Sequence, residues 1–78
     1  MKKYVQFLTQ NQNGKIDRAL GSDGIFILDG RNTLETMIDD ATTRQWQLRK
    51  IHTYIGFEIR SGDLKKSNII HTEYNETT

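Results

Sequence analysis

Few side chains in this sequence are of the types that catalyse reactions or bind metals, and their spacing suits neither role. Cysteine is absent from the 78 residues, which excludes disulfides, thiolate zinc sites and cysteine nucleophiles. His71 and Glu73 would share one face of a strand, but His52 is distant in sequence, and two imidazoles without further ligand spacing do not indicate a metal site. The adjacent carboxylates of Asp39 and Asp40 would point about 100° apart on a helix and would not converge. We therefore expect no metal and no cofactor.

Motifs of phosphate-binding and catalytic loops are also absent. The glycines fit neither the dinucleotide-binding fingerprint nor the P-loop, and no serine lies in a nucleophile elbow. A single helix on a sheet would offer no deep cleft of the kind in which most enzymes exclude water. We therefore predict that the chain is not an enzyme and has no catalytic residues.

Trp46, the only tryptophan, gives the clearest indication of function. If residues 33–51 form a helix, the indole points away from the apolar stripe, because successive residues are about 100° apart. Tryptophan and arginine are enriched at binding hot spots, and Arg44, Arg49 and Lys50 lie close by in the sequence. We predict that these four residues form a partner-binding surface. In the opposing interpretation the helix ends or kinks early, or the C-terminal tail covers the indole.

Two kinds of partner suit such a surface. A protein with an apolar pocket rimmed by carboxylates would accept an indole among cations, and a nucleic acid would offer phosphates and an unpaired base. The net charge of +1 and the pI of about 8.0 favour a protein, because dedicated nucleic-acid domains usually have a pI above about 9. The alternative is a nucleic-acid-binding module that uses the basic C-terminal half of the helix. Four further lysines would be possible nucleic-acid contacts: Lys2, Lys3, Lys65 and Lys66.

Three strands are predicted before the helix. Residues 3–9 are rich in aromatic and β-branched side chains, which is typical of a strand. The Asn13-Gly14 pair predicts a type I′ hairpin turn, which needs positive φ at both central residues, and residues 15–20 would form the returning strand. Residues 25–28 are the most apolar run in the chain and predict a central strand buried on both faces.

The helix is predicted over residues 33–51. Asn32 would be its N-cap, with Glu35 three residues later in the capping-box position. Acidic residues fall in its first half and basic residues in its last turns, as the helix dipole favours. Its apolar stripe would consist of Leu34, Met37, Ile38, Ala41, Gln45 and Leu48.

Two strands are predicted after the helix, as a second hairpin. Residues 53–60 alternate in polarity, which places Ile55, Phe57 and Ile59 on one face, and residues 68–74 would return. The other face would be a solvated sheet face, a second binding surface or a dimer interface. It would carry the intervening side chains Tyr54, Glu58 and Arg60.

Together these elements predict a single α+β domain over residues 1–78, with residues 75–78 as a frayed tail. The architecture would have two layers, one amphipathic helix packed on a mainly antiparallel sheet in the order β-β-β-α-β-β. Leu34, Ile38 and Phe57 would be the core positions most sensitive to substitution. No apolar run approaches about 18 residues and no signal peptide is recognisable, so we expect a cytoplasmic protein that does not enter membranes.

These features predict a small soluble macromolecule-binding module. A protein is the expected partner and a nucleic acid is the alternative. Accessory proteins of phages and mobile elements, including inhibitors of host defences, have this size and general build, although fold does not imply function. A homodimer through the helix face or an edge strand is a third possible arrangement.

Overall fold

A computed structural model describes residues 2–28, 30 and 33–75 of the protein. The order of the elements is β-β-β-α-β-β, as predicted, and the fold is α+β with one helix on one antiparallel sheet. Within the described residues, no helix combines the length and the apolar character needed to cross a bilayer. The elements are β1 (Lys3–Gln10), β2 (Ile16–Arg18), a 3₁₀ turn (Ser22–Gly24), β3 (Ile25–Ile27), α1 (Leu34–Gln47), β4 (Gly56–Asp63) and β5 (Lys66–Tyr74).

β1 organises the sheet, with β4 on one side and both β2 and β3 on the other. β2 and β3 therefore form one interrupted edge strand, and β5, which pairs with β4, lies at the opposite edge. The prediction that residues 25–28 form a central strand buried on both faces is wrong. Phe26 and Leu28 pack toward the core, but Ile27, whose side chain points to the other face of the sheet, is 47% exposed. The edge-strand dimer stays a prediction.

The predicted hairpin between β1 and β2 is confirmed, but its turn is not type I′. Gly14 has a φ of 83°, whereas no described non-glycine residue has a positive φ, so Asn13 does not meet the requirement of that turn. The Asn11 side chain accepts hydrogen bonds from the backbone N–H groups of Asn13 and Lys15, each at 2.9 Å. Asn11 thus stabilises a wider turn that needs left-handed geometry at Gly14 only.

The interruption between β2 and β3 is held by the buried side chain of Gln6. Its Nε2 donates to the carbonyl oxygens of Ala19 and Gly24, both at 3.1 Å, at the two ends of the interruption. These bonds satisfy carbonyl groups that would otherwise lack partners where the edge strand leaves β1. A Cβ at Gly24 would lie 2.5 Å from the Ala19 carbonyl oxygen, so the close approach requires glycine.

The helix begins one residue later than predicted. Thr33 is its N-cap, and the Thr33 hydroxyl accepts a hydrogen bond from the Thr36 backbone N–H at 3.2 Å. The Thr36 hydroxyl in turn donates to the Thr33 carbonyl at 2.9 Å. The prediction of an Asn32 cap with Glu35 as its capping-box partner is therefore wrong, and Asn32 itself lies outside the described residues. The Thr33 hydroxyl takes the capping role expected of the Asn32 amide, and the Thr36 hydroxyl adds a separate bond to the cap residue.

α1 ends at Gln47, four residues before the predicted end. Leu48 leaves helical geometry, with a ψ of 0°, and its carbonyl accepts hydrogen bonds from the N–H groups of Ile51 at 3.0 Å and His52 at 2.8 Å. A tight turn therefore follows the helix and carries the chain back toward the sheet. Trp46 lies in the last turn of α1.

The core lies between α1 and the inner face of the sheet. Of the three positions predicted to be core residues sensitive to substitution, one is buried. Phe57 is 2% exposed, whereas Leu34 is 40% exposed and Ile38 is only partly buried. The prediction for Leu34 is wrong because it is the first residue of α1, one turn before the buried helical positions begin at Met37. The members of this core that are at most 3% exposed are Val5, Phe7, Met37, Ala41, Phe57 and Ile59.

Tyr54 lies in the core, so the prediction that it lies on the outer face of the sheet is wrong. It is 6% exposed and stacks on Phe7, with ring centroids 4.8 Å apart and planes at 4°. β4 begins only at Gly56, so the strand alternation used to place Tyr54 does not extend to it. Glu58 and Arg60 do lie on the outer face, where they contact each other at 2.8 Å.

Candidate functional site

Trp46 is exposed, as predicted. The side chain is 63% exposed in the last turn of α1, while Ala41 and Leu48 of the same segment are buried. The opposing interpretation, in which the helix kinks or the tail seals the indole, is therefore wrong for the described residues. Its role in binding a partner stays a prediction.

Arg49 lies directly over the indole. Its Cζ is 3.5 Å from the centroid of the Trp46 ring, well within cation–π range, and its Nη1 donates to the Trp46 carbonyl at 2.7 Å. That hydrogen bond satisfies a carbonyl at the C-terminal end of the helix, where a cation is favourable. The pair presents a charged, planar unit whose indole remains accessible.

The structure does not bring the other two predicted residues into this unit. Arg44 is half-buried and lies on the other side of the helix, with its Cζ 5.6 Å from the centroid of Phe26. Lys50 is exposed in the turn after α1. Of the predicted surface, only Trp46 and Arg49 are in contact with each other.

An open groove of about 660 Å³ lies beside Trp46. It forms because α1 covers β1 and β4 while β5 extends past the helix at the edge of the sheet. Phe57 pairs with Glu73 in the β4–β5 register, so an apolar floor meets an acidic wall. One wall is Thr42, Gln45, Trp46 and Arg49, the floor is Tyr54 and Phe57, and the other wall is Glu73, Tyr74 and Asn75.

Gln45 joins the two walls of the groove. Its Nε2 donates to the Asn75 Oδ1 at 2.8 Å, and the Asn75 Nδ2 donates to the Tyr54 carbonyl at 2.9 Å. The Gln45 Oε1 is buried and has no hydrogen-bond partner among the described residues. A buried acceptor without a partner costs about 1–3 kcal/mol of stability.

No protein-family model, curated protein or solved structure matches this chain. The function of the groove therefore has to be argued from its own residues. Tryptophan and arginine are the side-chain types that dominate binding energy at interfaces, and the groove carries one exposed residue of each type.

Three stacked rings support the floor of the groove. Tyr54 lies between Phe7 and His52, and the centroids of His52 and Tyr54 are 5.2 Å apart. The His52 Nε2 is 3.0 Å from the Asp23 Oδ2, which ties the turn after α1 to the 3₁₀ turn. His52 therefore does not join His71, and the described residues contain no cluster of three or more potential metal ligands.

Burial raises the pKa of the Tyr54 hydroxyl above its ordinary value of 10.0. The carboxylate of Asp23 raises this pKa further, and the guanidinium of Arg44 lowers it. The hydroxyl has no hydrogen-bond partner among the described residues. Tyr54 is thus held by ring packing and not by its polar atom.

Replacing Tyr54 with phenylalanine is expected to leave the free energy of unfolding at pH 7 unchanged or to raise it by up to about 1 kcal/mol, because it removes a buried, unpaired hydroxyl. In the wild type, the hydroxyl is protonated in both states well below pH 10.0. At higher pH the unfolded chain ionises first, so stability falls as the pH rises toward the raised pKa. Urea unfolding at neutral and alkaline pH measures both effects. A smaller alkaline loss in Tyr54→Phe is expected, and a loss above about 1 kcal/mol at pH 7 would contradict the account.

The four lysines predicted as nucleic-acid contacts lie at the other end of the sheet. The N–H of Gly62 donates to the Lys2 carbonyl at 2.8 Å, which places the start of β1 beside the β4–β5 turn. The groove lies where Gly56 pairs with Tyr74, at the opposite ends of β4 and β5. The basic side chains therefore form two separate regions, and the four lysines do not extend the Trp46 surface. These lysines are Lys2, Lys3, Lys65 and Lys66.

The sequence interpretation missed the contribution of β5 and of the segment after it. Asn75 was predicted to begin a frayed tail, but its N–H donates to the Ile55 carbonyl at 2.8 Å and its side chain bonds to Gln45 and Tyr54. Residues 76–78 lie outside the described residues. Gln45 was assigned to the apolar stripe, although a long amide at the edge of such a stripe is a signal of a polar contact.

Proposed function

We propose that this protein is a binding module that holds another protein at the Trp46 groove. The observation that carries the proposal is the indole, 63% exposed, at the lip of a groove floored by Tyr54 and Phe57. Tryptophan is the residue most characteristic of binding hot spots, and exposed apolar surface next to a concave region is typical of interaction sites. We further propose that it acts without catalysis and in the cytoplasm, since a chain without cysteine suits a reducing compartment.

The groove defines the chemistry of a matching partner. An apolar side chain would pack against the Trp46 indole, whose exposed ring offers contact area beside the largely buried floor. A carboxylate of the partner would pair with the guanidinium of Arg49, which lies exposed over the indole. Glu73 on the facing wall adds a second charge of opposite sign, which favours a protein segment with mixed charges over a uniformly anionic chain.

A nucleic acid is the alternative partner. The stacked pair of Trp46 and Arg49 favours it, because such pairs form platforms for unpaired bases. Glu73 in the groove and the separation of the lysines disfavour it. Phosphate-dominated binding would weaken steeply with salt, and absence of binding to mixed DNA and RNA at low salt would remove this alternative.

A photo-crosslinking amino acid at position 42, which is exposed and lines the groove beside an intact Trp46, tests the proposal in cells of the source organism. Leu20 is the matched control position, because it is 93% exposed and lies at the opposite edge of the sheet from β5. We expect irradiation to give a discrete protein adduct from position 42 that is absent from position 20. A nuclease-sensitive adduct would support the alternative partner, and equal adducts from both positions would contradict the groove as a binding site.

A further inference from the structure

A second concave region lies on the outer face of the sheet, away from α1, and encloses about 330 Å³. Four cationic side chains surround it, contributed by β2, β4, the β4–β5 turn and the first residue of β5. We refer to it as the basic pocket, lined by Arg18, Arg60, Lys65, Lys66, Tyr4 and Ser67.

Arg60 is the fixed cation of the basic pocket. Its side chain is 13% exposed, its Nη1 donates to the Glu58 Oε1 at 2.8 Å, and its Nε donates to the Ser67 Oγ at 2.8 Å. The Tyr4 hydroxyl also hydrogen-bonds the Ser67 Oγ, at 2.8 Å. These contacts hold the base of the pocket in one geometry before any ligand binds, which lowers the entropic cost of binding.

The other three cations retain donors. The Arg18 side chain is 59% exposed, and only its Nε is in contact with Glu58, at 3.3 Å, so its terminal Nη groups are unpaired among the described residues. Lys65 and Lys66 are exposed and form no ion pair within the described part of the chain. Glu58 is the one carboxylate in contact with this cluster and is already shared by two arginines. Asp63 lies in the same hairpin, where its backbone is the register partner of Lys66. Because four cations face these two carboxylates, the net charge of the cluster remains positive.

We propose that the basic pocket binds the phosphoryl group of a phosphate monoester. Such a group carries about −1.5 to −2 charges at pH 7 and three acceptor oxygens, which matches donors from Arg18, Lys65 and Lys66. A single carboxylate would leave most of this charge unbalanced. The cations surround one concavity and do not line a track of the kind that follows a nucleic-acid backbone.

This site is independent of the Trp46 groove. The basic pocket lies at the opposite end of β4 and β5 and on the opposite face of the sheet. Failure of one proposal therefore leaves the other unchanged.

Titration of the ¹⁵N-labelled protein with inorganic phosphate and with a nucleoside 5′-monophosphate tests the assignment. We expect saturable amide shifts confined to residues of the basic pocket, among them Arg60 and Ser67. Affinity should fall by roughly tenfold or more in Lys65→Gln/Lys66→Gln, which removes two charged donors. It should also fall below about pH 6, where the monoester becomes a monoanion. Tighter binding of the nucleotide would assign the ligand to an ester, and equal binding would assign it to free phosphate.

Lys15→Gln is the matched control, because Lys15 is an exposed lysine in the β1–β2 loop, outside the basic pocket. The affinity of this variant for phosphate should equal that of the wild type. The spectra also show whether each variant is folded, and Arg18→Gln provides a second test of the same prediction. Shifts of equal size at Lys15 and Lys50, no effect of the double substitution, or equal binding of an oligonucleotide that carries only phosphodiesters would overturn the proposal.

Discussion

Trp46→Ala is expected to weaken binding of the protein partner by more than about 2 kcal/mol, or roughly 30-fold, with little effect on folding. The free energy of unfolding should change by less than about 1 kcal/mol, since the side chain is 63% exposed and is absent from the core. In the complex the indole would be buried, so the substitution would remove its apolar contact area together with the partner of the Arg49 cation. Truncation of an interface anchor has this effect, whereas truncation of a core residue would mainly lower the free energy of unfolding.

Calorimetric titration with the crosslinked partner, purified, measures the first effect, and urea unfolding measures the second. Leu20→Ala is the control for loss of an exposed apolar side chain and should bind as the wild type does. Arg49→Gln keeps the indole and removes its cation, so it should cost less than Trp46→Ala. A loss of roughly 3–5 kcal/mol in stability for Trp46→Ala, or unchanged partner affinity, would show that the indole has been assigned the wrong role.

Phe7→Ala is expected to lower the free energy of unfolding by about 3–5 kcal/mol. Phe7 is fully buried, and its ring stacks on Tyr54 at 4.8 Å. It also lies on β1, the strand that pairs with β2, β3 and β4. A domain of this size has a stability on the order of 5 kcal/mol, so the variant should retain only about 0–2 kcal/mol at 25 °C.

Leu34→Ala is the matched control for this loss of core volume. Leu34 is also apolar but is 40% exposed at the start of α1, so its truncation should cost less than about 1 kcal/mol. Far-ultraviolet circular dichroism with urea unfolding measures both variants. The account would be contradicted by a Phe7→Ala protein that unfolds at the wild-type urea concentration, or by a Leu34→Ala protein as unstable as Phe7→Ala.

The order of the elements could be predicted because it is encoded in local periodicity. The helical stripe turned Trp46 away from the core, and the alternation of β4 placed Phe57 and Ile59 inside. These patterns are set by residues a few positions apart and need no knowledge of what packs on them. The position of Arg44 was also available from the helix geometry, because residues two apart on a helix point about 160° away from each other.

Features that depend on distant pairing could not be predicted from local patterns. The apolar run of β3 suggested a central strand, but its location at an edge is decided by which strands pair with β1. The type of the β1–β2 turn is decided by hydrogen bonds from the Asn11 side chain, which compete with the preference of the Asn13-Gly14 pair.

Only part of the candidate groove could be predicted, because some of its residues are close in sequence and others depend on distant strand pairing. Trp46 lies in the last turn of α1 and Arg49 only three residues later in the turn that follows, so their proximity follows from the sequence. Glu73 and Asn75 reach the groove only because β5 pairs with β4 and extends past α1. The contact between Gln45 and Asn75 joins residues 30 positions apart, which no local pattern specifies.

Acrylamide quenching of tryptophan fluorescence tests the central claim most directly, because Trp46 is the only tryptophan and supplies all of the tryptophan signal of this protein. In the free protein, quenching should approach that of a small tryptophan analogue in water, and it should fall sharply once the partner is bound, in a form of the partner whose own tryptophans are replaced. Weak quenching in the free protein, or quenching that the partner leaves unchanged, would contradict the assignment of Trp46 as the anchor of the binding groove.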